Sequence, residues 1–185
     1  MLLCAAVLFV RGQQQSPSAH APTDSLNDQP TFKLTGRLVG VGEAVQPGFG
    51  TTLATAGNWT ATGDPLGYSR MGRTGCVFLV NKRQLEEQTA VPIVLGPENQ
   101  YSRTFGYTLA MDETHLVVGA PLELTPNKQV GAAYVYDLDD DGYTFAQRLV
   151  APKIIPNARF GFSIAIKDDT IVIGSPENEI TTGHV

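Results

Sequence analysis

Disulfide chemistry has almost nothing to work with in this chain: its 185 residues include two cysteines, Cys4 and Cys76, and two residues make no disulfide framework. Positive charge is also sparse. Thirteen Lys and Arg stand against 18 Asp and Glu for a net charge of −5, and no basic cluster is longer than Lys82-Arg83, which argues against a nucleic-acid-binding surface. No apolar run reaches the ~20 residues a membrane-spanning helix needs. The three histidines, His20, His115 and His184, are isolated from one another. There is no G-x-S-x-G and no metal-spaced His/Cys cluster, and Gly40-Val41-Gly42 lacks the third glycine of a phosphate loop. A non-catalytic protein is expected.

What is present is globular in composition, 42% hydrophobic and 17% charged. Residues 1–10 are almost uniformly apolar and are followed by Arg11, a Gln/Ser/Pro stretch and Ala19-His20-Ala21, which has the small-x-small form of a signal-peptidase site. Residues 1–21 therefore read as a signal peptide, although only the N-terminal amine supplies positive charge ahead of the apolar run. A secreted or cell-surface protein follows. Residues 22–31 read as a flexible leader. Cleavage would remove Cys4 and leave Cys76, whose apolar surroundings suit a small buried hydrophobe better than a reactive thiol.

From residue 32 onward the chain repeats itself. Phe49-Gly50, Phe105-Gly106 and Phe160-Gly161 are spaced 56 and 55 residues apart, and Gly63-Asp64-Pro65, Gly119-Ala120-Pro121 and Gly174-Ser175-Pro176 keep the same two spacings. Two landmarks that drift together mark one duplicated unit. Gly75, Gly131 and Gly183 form a third landmark, each opening a short apolar run, and the last copy stops soon afterwards. In the central copy, residues 107–111 and 116–118 are β-prone runs separated by Asp112-Glu113-Thr114, a hairpin signature. Folding the hairpin brings Phe105-Gly106 beside Gly119-Ala120-Pro121. The aromatic then anchors the corner, Gly permits a backbone other residues resist, and Pro ends the pairing ladder. Residues 132–136 and 143–150 supply a third and a fourth strand. The first copy is degenerate, with Gly57-Asn58 at its turn and the more polar Trp59-Thr60-Ala61-Thr62 where Leu116-Val117-Val118 would stand.

Four antiparallel strands in about 55 residues, repeated in tandem, suit a β-propeller blade that buries its faces against its neighbours. The Phe-Gly and Gly-Ala-Pro pairing resembles the FG-GAP repeat, the blade unit of integrin α-subunit propellers and of many secreted repeat proteins. The match is letter for letter in the central copy, has Ser175 for Ala in the last, and has Asp64 for Ala in the first. The resemblance implies an all-β fold over residues 32–185: a partial propeller of four-stranded antiparallel blades, about two and a half repeats starting near 49, 105 and 160. Residues 32–39 read as a strand, either the outermost strand of a preceding blade or one that closes the ring. Closed propellers need at least ~4 blades, so a fragment, or a chain that self-associates through unpaired blades, is expected.

Asp137, Asp139, Asp141 and Gly142 form a D-x-D-x-D-G run, the alternation of oxygen ligands and turn-making Gly that Ca²⁺ loops use. Integrin-like blades carry calcium loops of this style, but within the Phe-Gly hairpin, whereas this run links the third and fourth strands. Phe145 and Arg148 occupy the positions of the later ligands. The run is the chain's calcium candidate; the plainer reading is a solvated acidic turn. Asn58-Trp59-Thr60 is the one N-glycosylation sequon, placed at a turn tip, and Trp59 beside it is expected to cap the blade edge. The loops at 66–74, 122–130 and 177–182 differ most between copies, so a partner surface is expected there. Together with the resemblance, this points to extracellular recognition or adhesion, with a protein or glycan partner. The alternatives are a structural secreted repeat protein, or a fragment of a propeller enzyme whose site lies in other blades.

Overall fold

The structure, a computed structural model, describes residues 6–13, 31–39, 48–87, 91–98, 100–125, 128–139, 142–153 and 155–176. The expected cleavage region at 19–21, residues 40–42, Asp141, the loop at 177–182 and the third landmark at Gly183 lie outside these residues. In chain order the elements are β1 (Ala6–Gln13), β2 (Thr31–Val39), β3 (Thr52–Ala56), β4 (Trp59–Asp64), β5 (Cys76–Asn81), α1 (Lys82–Glu86), β6 (Ile93–Leu95), β7 (Thr108–Met111), β8 (His115–Ala120), β9 (Leu124–Thr125), β10 (Lys128–Gln129), β11 (Ala132–Leu138), β12 (Tyr143–Leu149), β13 (Ser163–Lys167) and β14 (Thr170–Gly174). The first two repeats each make a four-stranded antiparallel meander, β3-β4-β5-β6 and β7-β8-β11-β12, and the third makes the hairpin β13-β14. The expected all-β blades are what these residues form.

Two elements depart from expectation. β2 pairs along its length with β1, from Ala6↔Val39 to Gln13↔Thr31, rather than joining a blade sheet. After β5 the chain enters the one-turn helix α1, started by the Asn81 side chain, which accepts from the Arg83 N–H at 3.0 Å. Asn is a favoured N-cap because its oxygen satisfies an otherwise orphaned backbone donor.

The Phe-Gly corner is built identically three times. Gly50 N–H donates to the Gly63 carbonyl at 3.0 Å, Gly106 to Gly119 at 3.1 Å and Gly161 to Gly174 at 3.2 Å. Each corner glycine sits at φ between +85° and +88°, a region open to Gly at little cost. The corner aromatic packs edge-to-face on an aromatic of its own third strand: Phe49 on Phe78 with ring centroids 5.1 Å apart, and Phe105 on Tyr134 at 5.2 Å.

The same corner joins one sheet to the next. Phe105 N–H donates to the Thr74 carbonyl and Phe160 N–H to that of Val130, both at 2.9 Å. The Thr52 hydroxyl donates to the Gly106 carbonyl at 2.8 Å, and the Thr108 hydroxyl to that of Gly161 at 2.7 Å. Stacking in this register buries the second sheet on both faces. Leu116 and Val118 turn to the first sheet, joining Trp59, Ala61, Val77 and Leu79. Val117, Ala133 and Val135 turn to the third hairpin, meeting Ile164, Ile166, Ile171 and Ile173. That is why β8 reads as an unbroken apolar run, whereas β13 alternates between exposed and half-buried. Trp59 does not cap a free edge: it is buried between the first two sheets, and its Nε1–H donates to the Asp139 carbonyl at 2.7 Å.

The polar β4 is buried along its whole length. Thr62, which corresponds to Val118 in the next repeat, is 1% exposed, and its hydroxyl has no partner among the described residues. A buried hydroxyl without a hydrogen bond costs about 1–3 kcal/mol. Thr62→Val, which keeps the shape and restores the repeat's apolar residue, is expected to raise stability by about 1 kcal/mol, measured by urea denaturation.

Candidate recognition cleft

Loop 66–74 leaves the first Gly-x-Pro corner and returns to β5. Its base is held by Gly67 N–H donating to the Asp64 carbonyl and Gly75 N–H donating to the Gly67 carbonyl, both at 3.0 Å. Its tip turns on the reciprocal pairing of Ser69 and Gly72. Ser69 also packs against Gly96 just beyond β6; a Cβ at Gly96 would lie 2.4 Å from that of Ser69. The loop is thereby pinned along the outer end of the first sheet.

Between this loop, β6 and the outer strands of the second sheet lies a cleft of about 710 Å³. Its far wall is aromatic. Tyr136 sits 5.6 Å from Phe145 and 6.0 Å from Tyr143, ring centroid to centroid, while Tyr68, Met71 and Val94 supply exposed apolar surface on the near side. The cleft opens because the outer strands are unequal, three residues in β6 against seven in β12. A register shift opposite Val135-Tyr136, where Ala146 is passed over, breaks the strict alternation of β12. Phe145 pairs across from Tyr136 and Arg148 across from Tyr134, so the bulge lets both side chains fall on one face.

That placement serves a buried ionic cluster behind the aromatic wall. Glu123 is fully buried. It accepts from the Tyr134 hydroxyl at 2.5 Å, from Arg148 Nε at 2.6 Å and from Arg148 Nη2 at 2.5 Å. Burial, together with the Glu123 carboxylate beside it, pushes the Tyr134 hydroxyl well above the ordinary tyrosine value. The Glu123 carbonyl accepts from Val130 and Gly131 N–H at 3.0 and 3.1 Å, so the cluster also closes the base of loop 122–130. In the first repeat the Gly67 carbonyl accepts from Gly75 N–H alone, Thr74 N–H turning to the Gly72 carbonyl, and a Cβ at Gly67 would lie 2.6 Å from Cys76 Sγ. The first repeat has no counterpart of this cluster, because Gly67 stands where Glu123 does. Sequence reasoning passed over it; the available signal was a carboxylate two residues after Pro121 with a Tyr and an Arg on the following strands.

The other residues singled out from sequence are dispersed. Asp139 accepts from Gly142 N–H at 2.7 Å, which gives its carboxylate a role in closing the β11-β12 turn. Asp137 faces His115, Oδ1 to Nε2 at 3.8 Å, and Asp141 lies outside the described residues. His115 begins β8, and its Nδ1 is 3.2 Å from Asp112. Asp112 closes the β7-β8 turn by accepting from Thr114 and His115 N–H at 3.0 and 2.8 Å. Burial alone would raise its pKa, but these hydrogen bonds and the imidazole hold it below the usual carboxylate value. A smaller hollow of about 200 Å³, lined by His115, Asp137, Gln147, Asp168 and Asp169 among others, lies between the second sheet and the third hairpin. No group of three or more His, Cys, Asp or Glu residues suited to a metal occurs among the described residues. Asn58 is half-buried at the β3-β4 turn, with its carbonyl accepting from Lys82 N–H at 2.7 Å.

Cys76 is fully buried. Burial first, and the Asp64 carboxylate second, push its thiol from 9.0 up to about 12. Only the thiolate is an effective nucleophile, so Ellman's reagent at pH 8 is expected to leave Cys76 unlabelled in the native protein and to label it in guanidinium. A folded pKa above the unfolded one means that the native state holds the proton more tightly. The stability tied to that proton is intact below pH 9 and is lost as pH rises toward 12, a loss that alkaline melts would register.

Residues 100–136 and 143–184 match the FG-GAP repeat profile. The chain carries FG-GAP repeats. The two matched FG-GAP units take in the second sheet and the third hairpin. The first sheet lies outside them, although it has the same glycine hydrogen bond as both FG-GAP units, and the same ring pair and inter-sheet bonds as the second sheet. No curated protein matches the chain. Among the described residues no helix is long and apolar enough to cross a membrane.

Proposed function

We propose that this chain is a non-catalytic recognition module of the extracellular or cell-surface kind, in which stacked FG-GAP blades hold variable loops that take a protein or glycan partner. The observation that carries the reading is the delivery of Tyr68 and Met71, each 45% exposed, to the rim of an aromatic cleft by the loop that differs most between repeats. Exposed aromatic and Met side chains gathered at a concave site are what recognition surfaces use. Residues 1–21 serve as a cleaved signal, so the mature chain starts at Pro22 and Asn58 meets the glycosylation machinery. Loss of residues 1–21 would also take β1 from β2.

Expression of the full chain in a secretory cell line tests this. The expected result is protein in the medium with Pro22 at its N-terminus and a glycosidase-sensitive mass at Asn58. Beads coated with it should bind cell surfaces, and the Tyr68→Ser/Met71→Ser variant should bind at least tenfold less. Retention inside the cell with Met1 intact, or binding unchanged in the variant, would overturn the proposal.

A further inference from the structure

We propose that the cleft between the first and second sheets takes an extended peptide segment of a partner protein, which adds a strand to the free edge of β6. This rests on the recognition reading above and names its ligand class.

β6 ends the order β3-β4-β5-β6. On its inner side it pairs with β5 through Leu79↔Ile93, Phe78↔Val94 and Val77↔Leu95; on its outer side no described strand pairs with it. Successive side chains of a strand point to opposite faces, and they do so here: Ile93 and Leu95 turn into the core shared with the second sheet, whereas Val94 is 46% exposed. Yet Ile93, Val94 and Leu95 all line the cleft. A cleft that runs along the strand's edge touches both faces at once, and Gly96, Pro97 and Glu98 continue its lining beyond the strand's end. Its floor therefore presents the outward N–H and C=O groups of β6, and an extended backbone is the chemistry that satisfies such a row. Beside the edge, the rings of Tyr143 and Phe145 offer apolar seats for alternate side chains of the added strand. A small sugar would meet the rings but leave the backbone row unused.

A phage library of random nonapeptides selected on the full chain tests the assignment. Enriched sequences are expected to carry apolar residues at alternating positions. A synthetic peptide of the enriched sequence should bind at least tenfold more weakly to Tyr68→Ser/Tyr143→Ser and to Val94→Lys, the latter placing a charge on the exposed edge. All variants are first shown to melt as the parent does. N-methylation of alternate backbone amides should abolish binding in one phase and spare it in the other, because only every second N–H of an added strand faces β6.

Absence of enrichment over bare support, equal affinity for the variants, or indifference to N-methylation in both phases would overturn the proposal. So would an oligosaccharide-array signal lost in the Tyr68→Ser/Tyr143→Ser variant without any enriched peptide. Cell-surface binding without peptide enrichment would sink the peptide while leaving recognition standing. Peptide enrichment by a chain retained inside the cell would do the reverse.

Discussion

Glu123→Leu is expected to lower the stability of the chain by about 3–5 kcal/mol, the usual cost of removing one partner from a buried ion pair. The carboxylate is fully buried and receives Tyr134 Oη and two Arg148 nitrogens at 2.5–2.6 Å. Without it a two-thirds-buried guanidinium loses its ion-pair partner, and the tyrosine hydroxyl keeps Ser102 but loses the carboxylate. The ion pair itself is not a large net source of stability, since two charges have been taken out of water to make it. Removing all three members in Glu123→Leu/Tyr134→Phe/Arg148→Leu should therefore recover most of the loss. Chemical denaturation of the single and triple variants separates the two cases: a triple variant as unstable as Glu123→Leu would mean that the cluster acts through its shape rather than its charge.

The second large effect is expected at Gly119, where an alanine has no room. Its Cβ would lie 2.1 Å from Thr108 Oγ1 and 2.2 Å from the Gly161 carbonyl, and the second of these is backbone of the next repeat. Rotating Thr108 away relieves only the first contact and gives up its bond to that same carbonyl. The alternative is to push the third hairpin off the second sheet, exposing Val117, Ala133 and Val135. Overpacking of this severity costs about 3 kcal/mol, and for a chain of this size each kcal/mol is worth about 2–4 °C, so Tm should fall by roughly 6–12 °C. Gly142→Ala is the control. Beyond its chain neighbours, no atom lies within 4 Å of the place its methyl would take, and a change within about 0.5 kcal/mol is expected. Equal effects at the two sites would show that the stacking geometry of the repeats is wrong.

Much of the architecture was legible because its most demanding positions are local. A corner at φ near +87° favours Gly at 50, 106 and 161, and backbone of the next repeat pressed against the outgoing strand excludes a side chain at 63 and 119. Those needs recur wherever the unit recurs, so the glycines alone locate the repeats and the hairpins between them. The first repeat was harder to read, since Thr60 and Thr62 are polar residues on a fully buried strand; the corner residues, not hydrophobicity, gave it away. The surroundings of Trp59 were not legible. It looked like an edge cap beside a turn, yet its ring is shared with a sheet whose nearest contributor to its hydrogen bond, Asp139, is 80 residues on.

The cleft was half visible. Loop 66–74 stood out as variable, but nothing local announced that β6 would stop after three residues, or that passing over Ala146 would set Phe145 and Arg148 on one face. Nor does an Asp-rich turn disclose which carboxylate is taken up by its own backbone. By itself, the order of residues settled the repeat, its phase and its turn geometry, because these depend on backbone freedom within a few positions. The tertiary arrangement alone settled which faces are covered, where Glu123 finds its cation and which strand ends each described sheet. Each of those results from surfaces brought together across 25 to 80 residues, where unequal strand lengths and one bulge, rather than any motif, decide what meets.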